Sequence, residues 1–503
     1  MNLVEATGWG WRYAGRTTWA IHDLDLRIAP GERVLLLGAS GAGKSTLLLA
    51  LAGVLGGADE GTEAGQLLVD GQHPTRRVGQ AGLVQQDPAA QIILARVGDD
   101  VAFGCENLGV PPGAIWPRVH RSLAAVGLAV PLDRSTAALS GGQQQRLAIA
   151  GSLAMQDPDD KQKRPRLLLL DEPTANLDPA GIGEVRRGVA RVLEDRSTAL
   201  IVVEHRVGVW SDLIDRVVVL GPAGVVADGS PASVFAARGA DLARAGVWVP
   251  GIALPVRPRP ALAQDQLELA QPILQGLDLT IGYRPDQPVR SALNVAIPAG
   301  ASTVITGPNG TGKSALALTL AGLLPQLGGT VAAADTLVPA PANRRQRRLA
   351  AGGLADPHRW TSAQLLTRLG TVFQEAAHQF VAGSVREELA VGLKALRWSP
   401  ASIATRVDEL LGLLHLDALA DANPFTLSGG EKRRLSVGTV LASGPAVIVL
   451  DEPTFGQDRT TWLDLVGLIN RVLDEGRTVI SVTHDHDFLA LLSQHRIDLG
   501  GQP

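Results

Sequence analysis

The chain has 503 residues, room for two to four domains at about 150 residues each. Hydrophobic residues make up 45% and charged residues 19%, a globular balance that supports buried cores. The net charge of −4 argues against a basic nucleic-acid surface, and the single cysteine, Cys105, excludes an intramolecular disulfide and any multi-cysteine zinc or iron–sulfur site. Cys105 reads as a small buried residue.

The first segment, "MNLVEATGWGWRYAG", lacks a basic region followed by a long apolar run, so no signal peptide is expected. No stretch reaches the ~20 apolar residues that span a bilayer. The expectation is a cytoplasmic chain that does not itself cross the membrane, which leaves docking on a membrane protein open.

The first strong element is the apolar, strand-like run Val34–Leu37. It leads into "GASGAGKS" (Gly38–Ser45) and then into a helix-like run. This is G-x-x-x-x-G-K-[ST] in the strand–loop–helix context it requires. The glycines let backbone N–H groups turn inward as an anion nest, and the helix N-terminus adds its dipole. Gly38, Ser40, Gly41, Gly43 and Thr46 are therefore expected to line a phosphate site, with Lys44 on the β- and γ-phosphates and Ser45 on Mg²⁺.

Further on, Leu167–Leu170 reads as a buried parallel strand that ends in Asp171 and Glu172. Asp171 is expected beside the Mg²⁺, and Glu172 is placed to hold or deprotonate an attacking water. A second β-branched run, "TALIVVEH", ends in His205, expected to touch the γ-phosphate.

A proline-rich stretch, "WVPGIALPVRPRPALAQDQ" (Trp248–Gln266), then reads as a semi-extended spacer that bridges two domains without fixing their packing. The expected domains are residues 1–245 and 271–503, with a linker at 246–270. After it the pattern repeats. "GPNGTGKS" (Gly307–Ser314) gives Gly307, Asn309, Gly310, Gly312, Lys313, Ser314 and Ala315 as the second phosphate site. Val447–Leu450 leads into Asp451 and Glu452, and "RTVISVTH" ends in His484, with Asp485 and His486 read as loop. Two stretches break the symmetry: the polar insert Gln156–Arg166 in the first half, and a longer segment near Thr330–Ala363 in the second. The latter carries "RRQRR" (Arg344–Arg348), read as a solvated loop.

Each half also carries an unusual phrase, "LSGGQQQR" (Leu139–Arg146) and "LSGGEKRR" (Leu427–Arg434). With the P-loops, the Asp-Glu strand ends and the histidines, the chain resembles the ATP-binding cassette (ABC) ATPases over nearly its whole length, twice. The resemblance implies an α/β fold of two tandem ABC-type nucleotide-binding domains. Each would have a P-loop core with antiparallel-β and helical signature subdomains, and the two would pair head to tail within the chain. It implies ATP and Mg²⁺ as cofactors. It also implies that each signature completes the other domain's site. Ser428 and Gly430 would serve Lys44, Ser45, Asp171, Glu172 and His205. Ser140 and Gly142 would serve Lys313, Ser314, Asp451, Glu452 and His484. Tyr13 and Tyr283, the only tyrosines, lie where the family stacks an aromatic on adenine, and Asp178 and Asp458 match the D-loop aspartate.

The stretches "GLVQQDPAAQI" (Gly82–Ile92) and "GTVFQEAAHQF" (Gly370–Phe380) place Gln86 and Gln374 at the family's Mg²⁺- and water-sensing glutamine. A second glutamine follows in each, Gln91 and Gln379, and then "VGDDVAFGCENLGV" and "VREELAVGLKAL". This is similar to the ATPases of energy-coupling factor (ECF) importers of vitamins and metal ions. In the first stretch Gln85 stands for the usual Phe, and in the second Ala376 stands for the proline. The implied partners are a membrane coupling (T-type) protein and a small substrate-binding (S-type) membrane protein, with the chain peripheral on the cytoplasmic face and no nucleic acid bound. Two other readings stay open. One is a tandem ATPase of a sugar importer. The other is an ABC-F translation factor, disfavoured by the short linker of small net charge.

Overall fold

The apolar runs named above become the central strands of two parallel sheets, one in each half. The computed structural model describes the chain except residues 1, 40, 58, 77–78, 80, 87–88, 156–166, 175–176, 178, 195, 197, 205–206, 222, 270, 350–352, 455–456 and 501–503. Ser40, Asp178, His205 and the insert Gln156–Arg166 lie outside the described residues. The chain divides into two compact units. One comprises Met1–Ala253 with Asp458–Thr460, the other Leu254–Gln457 with Thr461–Pro503.

In the first unit the core sheet runs in the order Ala81–Val84, Leu167–Asp171, Ala199–Val203, Arg33–Leu37, Arg216–Gly221, Gly224–Gly229. All neighbours are parallel except the last pair. Both faces of the sheet are buried, which is why its strands read as continuous apolar runs rather than alternating ones. Val34, Leu36, Leu167, Leu169, Ile201 and Val203 pack into one core, against the helix Lys44–Leu51 and a three-stranded antiparallel sheet. That sheet has Val4–Tyr13 between Ile21–Ile28 and Gly61–Val69. Leu35, Leu37, Leu168, Leu170, Leu200 and Val202 face the other core, shared with the helices Val97–Asn107, Pro112–Ala125 and Gly141–Ala154. Cys105 is buried in that second core, where its thiol donates to Ala154 O at 3.0 Å.

The second unit repeats the plan. Its antiparallel sheet places Pro272–Ile281 between Arg290–Pro298 and Gly328–Ala333. Its parallel sheet runs Leu369–Val372, Val447–Asp451, Thr478–Val482, Ser302–Thr306, His495–Asp498. Register sets the site in both units. Asp171 pairs with Val203 and Asp451 with Val482, so the Asp-Glu strand and its neighbour end level, beside the strand that feeds the P-loop. Ligands of open parallel sheets bind at such carboxyl ends.

Three sequence expectations need correction. The proline-rich stretch is not a free spacer. Val247 and Val249 are buried in the first unit's core. Arg259 is fixed to the second unit, where its backbone N–H donates to Leu491 O and its guanidinium to Asn470 and Asp474. The "RRQRR" run is not an open loop. Arg344–Arg347 form one helical turn capped by Asn343, the arginines are exposed, and Gln346 is buried with its amide donating to Arg359 O and Gln364. His486 is not loop either. Asp485 caps the helix His486–Leu492, accepting from the N–H groups of Asp487 and Phe488. In each case a side chain satisfies orphaned backbone groups that composition alone leaves unassigned.

Candidate nucleotide sites

Each P-loop ends in a glycine that caps the following helix. Gly43 caps Lys44–Leu51 at φ 85°, and Gly312 caps Lys313–Leu320 at φ 93°. A Cβ at Gly43 would stand 2.7 Å from Ala20 O, so conformation and space both demand glycine there. Gly38, Gly41, Gly307 and Gly310 also have positive φ, and the loops wrap around their own lysines. Lys44 Nζ donates to Gly38 O at 2.7 Å and Ala39 O at 3.0 Å, and Lys313 Nζ to Gly307 O at 2.8 Å and Pro308 O at 2.9 Å. Burial holds the Lys44 ammonium below its ordinary range. Both amines are held by carbonyl oxygens of their own loops, which a bound anion can replace.

The acid ends come next. Ser314 hydrogen-bonds Asp451, and the carboxylate's Oδ1 is buried without a hydrogen-bond partner. Ser45 is exposed and Asp171 partly buried, in the equivalent places. The glutamates that follow share a feature invisible in the sequence: Glu172 at φ 49° and Glu452 at φ 46° are left-handed, a conformation that side chains other than glycine rarely adopt. Each is locked by its N–H, which donates to Val203 O at 2.9 Å or Val482 O at 2.8 Å. Strain held by its surroundings concentrates at functional sites. Burial, aided by the Asp451 charge, pushes the Glu452 carboxyl up to about 7. His484 Nε2 lies 3.8 Å from Glu452 Oε1 and 3.3 Å from Asn309 Oδ1, so the structure gathers the histidine, the acid and the P-loop of the second half.

Among the described residues, different contacts hold the two glutamine loops. Gln86 Nε2 donates to Glu172 Oε2 at 2.8 Å. In the second half the buried Arg433 does the fastening. It donates to Phe373 O and Gln374 O at 2.8 Å and to Glu452 O at 3.1 Å. Gln91 and Gln379, seen in the sequence as a second glutamine, act as clamps. Gln91 accepts from Gln85 N and donates to Leu83 O, and Gln379 accepts from Phe373 N and donates to Thr371 O. Asp100 and Glu388 close the far end. Asp100 accepts from Ile93 N and Leu94 N, and Glu388 from Val381 N and Ala382 N.

The signature serines head helices. Ser140 and Gln143 form a reciprocal capping box on Gly141–Ala154, and Ser428 and Glu431 form one on Gly429–Ala442. S-x-x-Q and S-x-x-E carry that signal openly. Both serines are exposed, so each hydroxyl hydrogen can still reach an anion. Gly142 and Gly430 instead face their own halves. A Cβ there would meet Gly181 Cα at 3.4 Å, or Thr461 at 3.2 Å. Tyr13 is half-buried and its hydroxyl meets Thr46 Oγ1 at 3.2 Å, whereas Tyr283 is 62% exposed. Thr46 and Ala315 are buried in the P-loop helices.

The ABC transporter family profile matches residues 21–175 and 291–455, each span running from the antiparallel sheet through the P-loop to the Asp-Glu strand end. The chain belongs to the ABC transporter family. It is an ATPase that binds ATP with Mg²⁺ through two ABC domains. It is 31% identical to the "Putative HMP/thiamine import ATP-binding protein YkoD" of Bacillus subtilis, over 93% of this chain and 84% of that protein. It is also 31% identical to a "Putative ABC transporter ATP-binding protein" of Methanosarcina acetivorans, over 94% of this chain and 80% of that one. An archaeal ribosome recycling factor, aABCE1, solved in complex with the ribosomal stalk protein aP1, shares the fold. Its TM-score is 0.61 at 19% identity, covering 99% of this chain and 88% of that one. Mg²⁺ fits the second site on its donors: the Asp451 carboxylate, whose Oδ1 is buried without a hydrogen-bond partner, and the Ser314 hydroxyl bonded to it form a hard oxygen pair suited to that ion. No helix among the described residues is long and apolar enough to cross a membrane.

Proposed function

We propose that this chain is the ATP-hydrolysing subunit of an ECF-type importer for vitamins or transition-metal ions, peripheral on the cytoplasmic face of the membrane. Its partners would be a T-type coupling protein and a small S-type substrate-binding protein. The observation that carries this reading is a matched pair of rigid, apolar loop tips. Between the Gln91 and Asp100 clamps stands Ile93, 60% exposed, and between Gln379 and Glu388 stands Val381, 76% exposed. A side chain held out into water on a pinned backbone is suited to enter a partner's groove. The tips follow directly on Gln86 and Gln374, so a partner seated there would sense each site. The import activity in YkoD's name supports the class and favours HMP or thiamine as cargo.

In this reading Lys44 and Lys313 bind the β- and γ-phosphates, and Ser45, Asp171 and Gln86, with Ser314, Asp451 and Gln374, hold Mg²⁺. The metal screens the phosphate charge. Glu172 and Glu452 accept the proton of the attacking water, and the burial that raises the Glu452 carboxyl to about 7 suits it to that task. His205 and His484 contact the γ-phosphate, and Tyr13 and Tyr283 carry the adenine. Ser140 with Gly142, and Ser428 with Gly430, complete the opposite domain's site as the two domains close. Mild-detergent affinity purification of the tagged chain from its native cells, followed by mass spectrometry, tests the partners. Recovery of a polytopic coupling protein with a small membrane protein supports the ECF reading. Two matched permeases with a binding protein would replace it with a conventional importer, and ribosomes would overturn transport.

A further inference from the structure

Each half holds a carboxylate between a threonine and a tryptophan, buried in the first half and partly buried in the second, but takes the parts from different places. In the first half Glu204, 5% exposed, accepts from the Thr174 hydroxyl and from Trp210 Nε1 at 3.4 Å. In the second half Asp485 accepts from Thr454 Oγ1 at 2.7 Å and Trp462 Nε1 at 2.7 Å. Thr174 and Thr454 hold the same place, two residues after Glu172 and Glu452. The carboxylates do not: Glu204 precedes a histidine and Asp485 follows one. Nor do the tryptophans. Trp210 belongs to the short helix Val207–Trp210 after the histidine strand, and Trp462 to the helix Arg459–Asp474 that follows Asp458.

In the second half the clamp continues to the reacting acid. Asp485 N donates to Thr483 Oγ1 at 3.1 Å, and the Thr483 hydroxyl hydrogen-bonds Glu452. Thr483 occupies the place that Glu204 takes in the first half. Trp462, Thr454, Asp485, Thr483 and Glu452 therefore form one connected chain of hydrogen bonds. Both tryptophans are fully buried, so their N–H groups require a partner within the protein.

We propose that Asp485, held by Thr454 and Trp462, is a positioning residue for ATP hydrolysis, fixing Glu452 and His484 and tying them to the helix after Asp458, and that Glu204 with Thr174 and Trp210 is its counterpart in the first half. The second-half clamp reaches the helix after Asp458 through Trp462, so movement of that helix bears on Glu452. This rests on the ATPase activity and not on the membrane partners, and it is read without them.

The test is steady-state phosphate release by the full chain, with unfolding midpoints measured alongside. Thr454→Val and Trp462→Phe keep the packing and remove one donor each. Each is expected to lower kcat roughly tenfold, the low end of what one hydrogen bond to a charged acceptor is worth, with KM for ATP within about twofold. Thr454→Ser restores the hydroxyl and is expected to recover kcat. Trp210→Phe is expected to lower kcat less than Trp462→Phe. Unchanged kcat in both Thr454→Val and Trp462→Phe would overturn the proposal. So would a Thr454→Ser variant no better than Thr454→Val, or losses that follow the unfolding midpoint instead of kcat.

Discussion

Gln145 in the first half and Arg433 in the second stand five residues after their signature serines, on matching helices. Arg433 sends its guanidinium to three backbone carbonyls around the second site. Gln145 is as deeply buried, but its Nε2 has no hydrogen-bond partner. The first half compensates with the direct contact from Gln86 to Glu172. Among the described contacts, one glutamine loop is held through a side chain on Glu172 and the other through main-chain carbonyls on Arg433. The first arrangement spends the glutamate's own oxygen on the tether. In the second half Glu452 meets the Thr483 hydroxyl and lies 3.8 Å from His484.

The largest expected effect tests whether both arrangements turn over. Glu172→Gln and Glu452→Gln are each expected to lower phosphate release by roughly 100-fold or more, the usual worth of a general base. If either change leaves turnover at the wild-type rate, the reading of two competent sites fails, and the comparison becomes one between a working site and a binding site.

Stability separates the two tethers next. Arg433→Gln gives the second half the first half's residue and strips three backbone carbonyls of a charged donor. It is expected to cost about 2–4 kcal/mol in a urea melt that resolves the second unit. Gln145→Ala removes a group without a partner and is expected to cost under about 1 kcal/mol. Equal losses would mean that burial, and not the tether, governs these positions.

Much of this was legible before the structure. Glycines that must be left-handed, apolar runs buried on both faces and acids at strand ends leave direct marks on sequence, so the P-loops, the core strands and Asp171, Glu172, Asp451 and Glu452 could be placed. Repetition then doubled each inference. What stayed hidden were features that repetition cannot display. The left-handed backbone of Glu172 and Glu452 comes from neighbouring strands, not from a residue type. The carboxylate clamps use different positions in the two halves, so aligning the repeats separates Glu204 from Asp485. The linker reads as polyproline because composition counts prolines and not the anchor, Arg259, among them. The glutamines Gln91 and Gln379 stood out by spacing, but spacing could not say that their amides grip the backbone.

Those glutamines give a finer contrast. Gln91 and Gln379 make the same two backbone bonds, but Gln379 also accepts from the Ser436 hydroxyl. Alanine at either position is expected to loosen its loop by about 1–2 kcal/mol, with the greater loss at Gln379. Hydrogen exchange at the Ile93 and Val381 amides reads this locally. A loop that kept its protection after Gln379→Ala would show that Glu388 alone holds it.

The smallest effect concerns the two tyrosines. Tyr13 lies edge-on to Trp11, with ring centres 6.3 Å apart, and its hydroxyl reaches Thr46 on the P-loop helix. Tyr283 is largely exposed, with its ring open to a ligand. Removing the hydroxyl should therefore matter in one place and not in the other. Tyr13→Phe is expected to cost about 0.5–1 kcal/mol of stability, and Tyr283→Phe nothing measurable. For nucleotide binding the ring is the relevant group, so both phenylalanine variants should keep their ATP affinity. Tyr283→Ala, by losing a stacking surface, should weaken it by about 1–2 kcal/mol. Titration of ATP against each variant, with Glu172→Gln and Glu452→Gln in place to prevent turnover, separates these outcomes. Loss of affinity in Tyr283→Phe would mean that the exposed ring contacts the nucleotide through its hydroxyl and not its face.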